Sequence, residues 1–148
     1  MTRGLLDTST VVLLGRLGDD AVAALPDEPL VSAITLAELS VGPLVAATEA
    51  ERSARQAHLQ QAEADFEPLP FDAAAARAFG RVAASLRSAG REPAARAYDA
   101  LVAAVAVAGD LPVHTCNPAD FDGVDGLDVR PVPHPDQGDR RTAPAQRR

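Results

Sequence analysis

The chain has 148 residues, 47% of them apolar but only 3% aromatic and none of them Trp, a length that fits one domain and a core of Ala, Val and Leu in which helices pack on a small sheet. Its net charge is −7 and every cationic side chain is Arg, a balance that argues against sequence-independent coating of DNA. The single cysteine, Cys116, excludes an internal disulfide, and the absence of a secretory signal and of any run of about 18 apolar residues excludes a membrane span, so a soluble, cytoplasmic protein is expected.

"GLLD" predicts a short buried strand ending at Asp7, and "TSTVVLLGRLG" a helix capped by Thr8 or Ser9 and stopped at Gly18. "DDAVAAL" predicts a brief second helix and "PLVSA" a second strand. "ITLAELSVGPLVAA" predicts a third helix with Leu36, Leu39 and Val45 on one face and a bend or break at Gly42-Pro43. "TEAERSARQAHLQQAEADF" is polar and helical, with Thr48 and Glu51 spaced as a capping box.

"EPLPF" predicts a short strand. "DAAAARAFGRVAASLRSAG" has the clearest amphipathic period, with Asp72 as cap, Ala75, Phe79, Val82 and Leu86 as the apolar stripe and Gly90 as the stop. "ARAYDALVAAVAVAGD" is apolar nearly all round and predicts a buried helix. "LPVHT" predicts a strand, "NPADF" one turn and "LDVRPV" a last strand. From His134 the chain is Pro, Gln, Asp and Arg without period, which predicts a domain over residues 1–133 and a disordered tail over residues 134–148. That tail carries +2 and the body −9. Short apolar strands alternating with helices predict an α/β fold, a parallel sheet covered on both faces.

In open parallel sheets ligands bind beyond the carboxyl ends of strands. Asp7 stands at such an end, and Asp120 follows another, with Thr115 and Asn117 between strand and acid. Glu38 and Asp99 interrupt apolar helical text. Each acid also has a structural reading: Asp7 or Asp99 as a helix cap, Glu38 on a solvent face, Asp120 in an Asx-turn. One shared pocket explains all four. Carboxylates about 4 Å apart repel by roughly 4 kcal/mol at an effective dielectric of 20, so such a pocket holds protons or cations. Oxygen ligands alone select Mg²⁺ or Mn²⁺ over zinc. His58, His114 and His134 stand at no ligand spacing from one another, and Cys116 beside His114 supplies only two ligands of the four that zinc requires. A magnesium–carboxylate site performs phosphoryl chemistry.

"LLDTS", "ITLAEL", "PLPFD", "RAYDALVAAVA" and "HTCNPADF", in this order and spacing over residues 4–132, resemble the PIN-domain ribonucleases of VapC type, the toxins of type II toxin–antitoxin pairs. The resemblance implies a three-layer α/β/α sandwich and endonucleolytic cleavage of structured RNA with Mg²⁺ or Mn²⁺ as cofactor. It implies a VapB-type antitoxin as partner and a homodimer within the toxin–antitoxin complex. Carried over, the catalytic and metal-binding acids fall on Asp7, Glu38, Asp99 and Asp120, and the supporting polar residues on Thr8, Ser9, Thr115 and Asn117. Relatives often place a basic residue where this chain has Cys116, which leaves one cation fewer near the RNA.

Arg87, Arg91 and Arg96, clustered in "LRSAGREPAAR", are candidate RNA contacts, with a solubilising surface as the alternative. Receiver domains and aspartyl-nucleophile phosphatases also place an Asp after the first strand, but both require a site lysine and the chain has none. A catalytically inactive PIN-like module that binds protein or RNA is the remaining alternative.

Overall fold

The computed structural model describes residues 1–136. The elements run β1 (Arg3–Leu6), α1 (Thr8–Leu13), α2 (Asp19–Ala23), β2 (Glu28–Leu30), α3 (Ala33–Leu44), α4 (Glu49–Asp65), α5 (Ala73–Ser88), α6 (Ala97–Ala108), β3 (Val113–Thr115) and β4 (Val129–Pro131). 3-10 turns lie at Leu14–Arg16, Pro93–Arg96 and Pro118–Phe121. The strands form one parallel sheet in the order β2-β1-β3-β4.

Successive strand residues point to opposite faces, and β1 uses this to build two cores. Leu5 joins Val113 and the Ala- and Val-rich faces of α5 and α6, including Ala75, Ala78, Val82, Leu86, Val102 and Ala103. Leu6 joins Val11, Val31, Leu39 and Ala62 from the other side. Helices therefore cover both faces, and the fold is the expected α/β/α sandwich. With aromatics scarce, the small Ala side chains let α5 and α6 lie close together. Among the described residues no helix is long and apolar enough to cross a membrane.

Several local expectations change. Asp7, rather than Thr8 or Ser9, caps α1: its carboxylate accepts the Thr10 amide. The helix ends at Leu13 and tightens into the 3-10 turn, while Gly18 caps α2. "EPLPF" contributes one isolated bridge, Ser32 to Leu69, because Pro68 and Pro70 lack the amide donors a longer ladder requires. Pro43 stays inside α3 near its end. Val45 lies beyond that end and is exposed, so it does not share the buried face of Leu39. Phe79 packs at the core edge while Ala78 takes the fully buried place beside Val82. Thr48 accepts the Glu51 amide, and Glu51 reaches back to the Ala47 amide.

On the β2 side of the sheet the buried His114 imidazole packs over Gly4, where any Cβ would overlap it. Of the tail expected from His134 onward, His134–Asp136 are placed, with Asp136 bonded to Arg16 at 3.0 Å. Residues 137–148 lie outside the described residues.

Candidate active site

The sheet order reverses direction at β1, which has β2 on one side and β3 on the other. A crevice at the carboxyl ends of β1 and β3 follows from this topology. Asp7 follows β1 directly, and Thr115 closes β3.

Asp7 is 2% exposed, and four protein donors meet its carboxylate. Oδ1 accepts the Thr10 amide at 3.2 Å and the Thr10 hydroxyl at 2.5 Å. Oδ2 accepts the hydroxyls of Ser9 at 3.0 Å and Thr115 at 2.9 Å. Asn117 fixes both of those hydroxyls: its Nδ2 donates to Ser9 Oγ at 3.0 Å and its amide to Thr115 Oγ1 at 2.9 Å. Thr10 Oγ1 in turn accepts the Cys116 amide at 3.0 Å. The network stitches the start of α1 to the end of β3 and fixes the plane of the carboxylate.

Glu38 projects from the middle of α3, and its Oε1 accepts the Thr8 hydroxyl at 2.6 Å. A hydroxyl has one proton to give, so the 3.0 Å contact between Thr8 and Thr35 runs from Thr35 to Thr8. Burial raises the Glu38 carboxyl above its usual range, opposed by the Thr8 bond and reinforced by the charge of Asp7.

Asp99 sits in the first turn of α6, whose cap is Arg96, so the capping role does not fall to Asp99. Asp120 lies in the 3-10 turn after β3. Arg96 spans the two: Nη1 donates to Asp120 Oδ1 at 2.6 Å and stands 3.9 Å from Asp99 Oδ2. The Asp99 carboxyl is pushed up to about 6, first by burial and then by the charges of Asp120, Asp7 and Glu38, with Arg96 pulling the other way. The charges of the other three acids reach Asp99. Hydrogen bonds join Asp7 to Ser9 and Thr115, those hydroxyls to Asn117, Glu38 to Thr8, and Asp120 to Arg96 beside Asp99.

Whether this crevice suits a divalent cation is a matter of donors and room. The donors are carboxylate oxygens, which hard cations prefer. The charge crowding at Asp99 is the condition a cation relieves. Among the described residues no three His, Cys, Asp or Glu side chains already stand where they could hold a metal ion. Asp120 and Asp7 are engaged by protein donors: Arg96 bonds Asp120, and four donors converge on Asp7. Carboxylate oxygens are the donor type that Mg²⁺ and Mn²⁺ take. Cys116 does not contribute a thiolate, since burial raises its thiol, and His114 turns to the Ala24 carbonyl at 3.3 Å.

The three arginines have different neighbours. Arg96 pairs with Asp120, Arg91 lies 4.0 Å from Asp122, and Arg87 lies in the last turn of α5. Sequence reasoning passed over Thr10 and Thr35 as site residues. Both are fully buried hydroxyls, and Thr35 stands one helical turn before Glu38, a spacing readable in "ITLAEL".

The sequence pattern of the PIN domain family matches residues 5–127. Ribonuclease VapC5 of Mycobacterium tuberculosis is 42% identical over 125 residues, which are 83% of this chain and 88% of the relative. Ribonuclease VapC8 of the same organism is 37% identical over 103 residues, 70% of this chain and 89% of the relative. The fold is similar to a solved structure of VapBC-5, a member of the VapBC family of toxin–antitoxin systems from Mycobacterium tuberculosis, with TM-score 0.74 and 37% identity, covering 89% of this chain and all of that one. FitAcB of Neisseria gonorrhoeae is similar at TM-score 0.66 and 28% identity, covering 88% of this chain and 96% of that one. With that match spanning both cores and the whole acidic crevice, the chain belongs to the PIN domain family.

Proposed function

We propose that the chain is an endoribonuclease that requires Mg²⁺ or Mn²⁺, a cytoplasmic toxin held in check by a VapB-type antitoxin. The observation that carries the catalytic half is the placement of the acids, Asp7 at the carboxyl end of β1, Glu38 bonded to Thr8 beside it, and Asp120 after β3 joined by Arg96 to the side of Asp99. Relatives named ribonuclease VapC and structures titled VapBC support the substrate class and the partner.

Asp7, Glu38, Asp99 and Asp120 would hold the cation. When bound, it supplies Lewis-acid polarisation of the scissile phosphate and neutralises charge on the attacking and leaving oxygens. The chain's own residues prepare the site for this. Ser9, Thr10 and Thr115 orient the Asp7 carboxylate, Thr8 and Thr35 hold Glu38, and Asn117 locks two of those hydroxyls. This fixes ligands that would otherwise lose orientation, as partners behind metal ligands do elsewhere.

A cleft of about 400 Å³, with Val12, Leu39, Gly42 and Ala54 as its apolar wall and Glu38, Glu51, Arg55 and His58 also lining it, suits an amphipathic partner helix. The test is cleavage of a structured RNA by the purified chain in EDTA, then with Mg²⁺ or Mn²⁺ restored. Activity is expected only after restoration, and its suppression by a co-expressed antitoxin. Undiminished cleavage in EDTA would refute the metal-dependent reading.

A further inference from the structure

Arg96 occupies an unusual place for the only cation that touches the acids among the described residues. It caps α6 from a non-helical backbone conformation, φ −131° and ψ 45°, at the end of the 3-10 turn that begins at Pro93. From there its guanidinium reaches a carboxylate on a different element, Asp120, while Asp99 on its own helix stays within 3.9 Å. Asp99 and Asp120 repel each other, so a charge between them is favourable whenever no other cation is present. The side chain is 41% exposed and is carried by backbone outside the helix, so water is open to it.

We infer that Arg96 is a resident counter-ion of the pocket, one that occupies the Asp99–Asp120 side of the cation site and leaves it when a divalent ion binds. This rests on the metal-dependent reading above. The guanidinium 2.6 Å from Asp120 Oδ1 and a divalent ion, which bonds a carboxylate oxygen at about 2.1 Å, compete for that oxygen, and the two positive charges repel across it. The released guanidinium stays tethered at the mouth of the crevice, with a planar fork suited to phosphate oxygens. Loading with metal and exposure of a phosphate-binding arginine are therefore one event, and metal-free protein is kept from gathering RNA phosphate at the pocket.

The experiment is Mn²⁺ binding by isothermal titration calorimetry to the RNA-free full chain. Arg96→Gln is expected to bind about three- to tenfold tighter than wild type, the scale of a partly exposed ion pair plus relief of charge repulsion. Arg96→Lys, which keeps the charge, is expected to bind like wild type and shows whether removal of charge or loss of fold moves the constant. In an Asp120→Asn background Arg96→Gln is expected to shift affinity by less than about twofold, since the competing pair is already broken. Equal or weaker binding by Arg96→Gln, or an equal gain in the Asp120→Asn background, would overturn the inference and leave the metal site standing. Absence of Mn²⁺ binding by wild type and Arg96→Gln alike would overturn the metal-dependent reading together with it.

Discussion

Asp99→Asn is expected to make the protein more stable when no divalent cation is present. The Asp99 carboxyl stands at about 6 against an ordinary 3.8, first because it is buried and then because Asp120, Asp7 and Glu38 face it. A gap of about two pH units, at about 1.4 kcal/mol each, is about 3 kcal/mol held against the ionised form. Part of this is lost to solvent, since the side chain is 30% exposed. Asparagine also forgoes the weak attraction of Arg96 and the favourable placement of an acid in the first turn of a helix, about 0.3–1 kcal/mol. The net gain is about 1–2 kcal/mol, which for a chain of this size is a rise of about 3–8 °C in Tm. The sign with pH follows from the raised value. The folded state binds this proton more tightly than the unfolded chain, so that contribution to wild-type stability is fully present below pH 3.8 and is lost as the pH rises through 6. The advantage of Asn is therefore full at pH 7.5 and falls to about a third at pH 4.5. Urea unfolding of both proteins in EDTA at the two pH values measures it. Saturating Mg²⁺ should reverse the ranking, because ligand at about a hundred times its Kd adds about 2.7 kcal/mol to the protein that binds it. A variant less stable than wild type in EDTA at pH 7.5, or an advantage of equal size at both pH values, would refute the reasoning.

Asp7→Asn should behave oppositely. It removes the charge that four donors converge on and sets an NH₂ donor against some of them, a loss of about 1–3 kcal/mol in urea unfolding, and it should abolish RNA cleavage with Mg²⁺ present. Gly4→Ala should cost about 2–3 kcal/mol, the range of an overpacked core, because its Cβ would overlap the buried His114 ring. A thermal melt measures it.

How much of this was legible in the sequence depends on which forces set each feature. The sandwich and its two faces follow from adjacent apolar residues in "GLL" and from helical period, local patterns that burial enforces. The four acids stood out because each carboxylate sits where burial is costly, a signal independent of any neighbour. "EPLPF" failed as a strand for a reason written in it, the two prolines. Val45 misled because its place on a helical face assumed a helix that ends one residue earlier.

Side-chain direction in the crevice is a different kind of fact. Arg96 and Arg91 look alike in "GREPAAR", yet one turns to Asp120 and the other lies near Asp122. The difference arises from the 3-10 turn between them and from where the loop after β3 comes to rest, contacts far apart in the chain. For Asp7, capping a helix and belonging to the acidic group are compatible. The same carboxylate caps α1, ties that helix to β3, and faces the other acids. A helix cap has to lie at the end of its helix, and the carboxyl end of β1 is where the crevice opens. The cap therefore also fixes the direction of the carboxylate, and the stability of α1 and the orientation of the acid cannot vary independently.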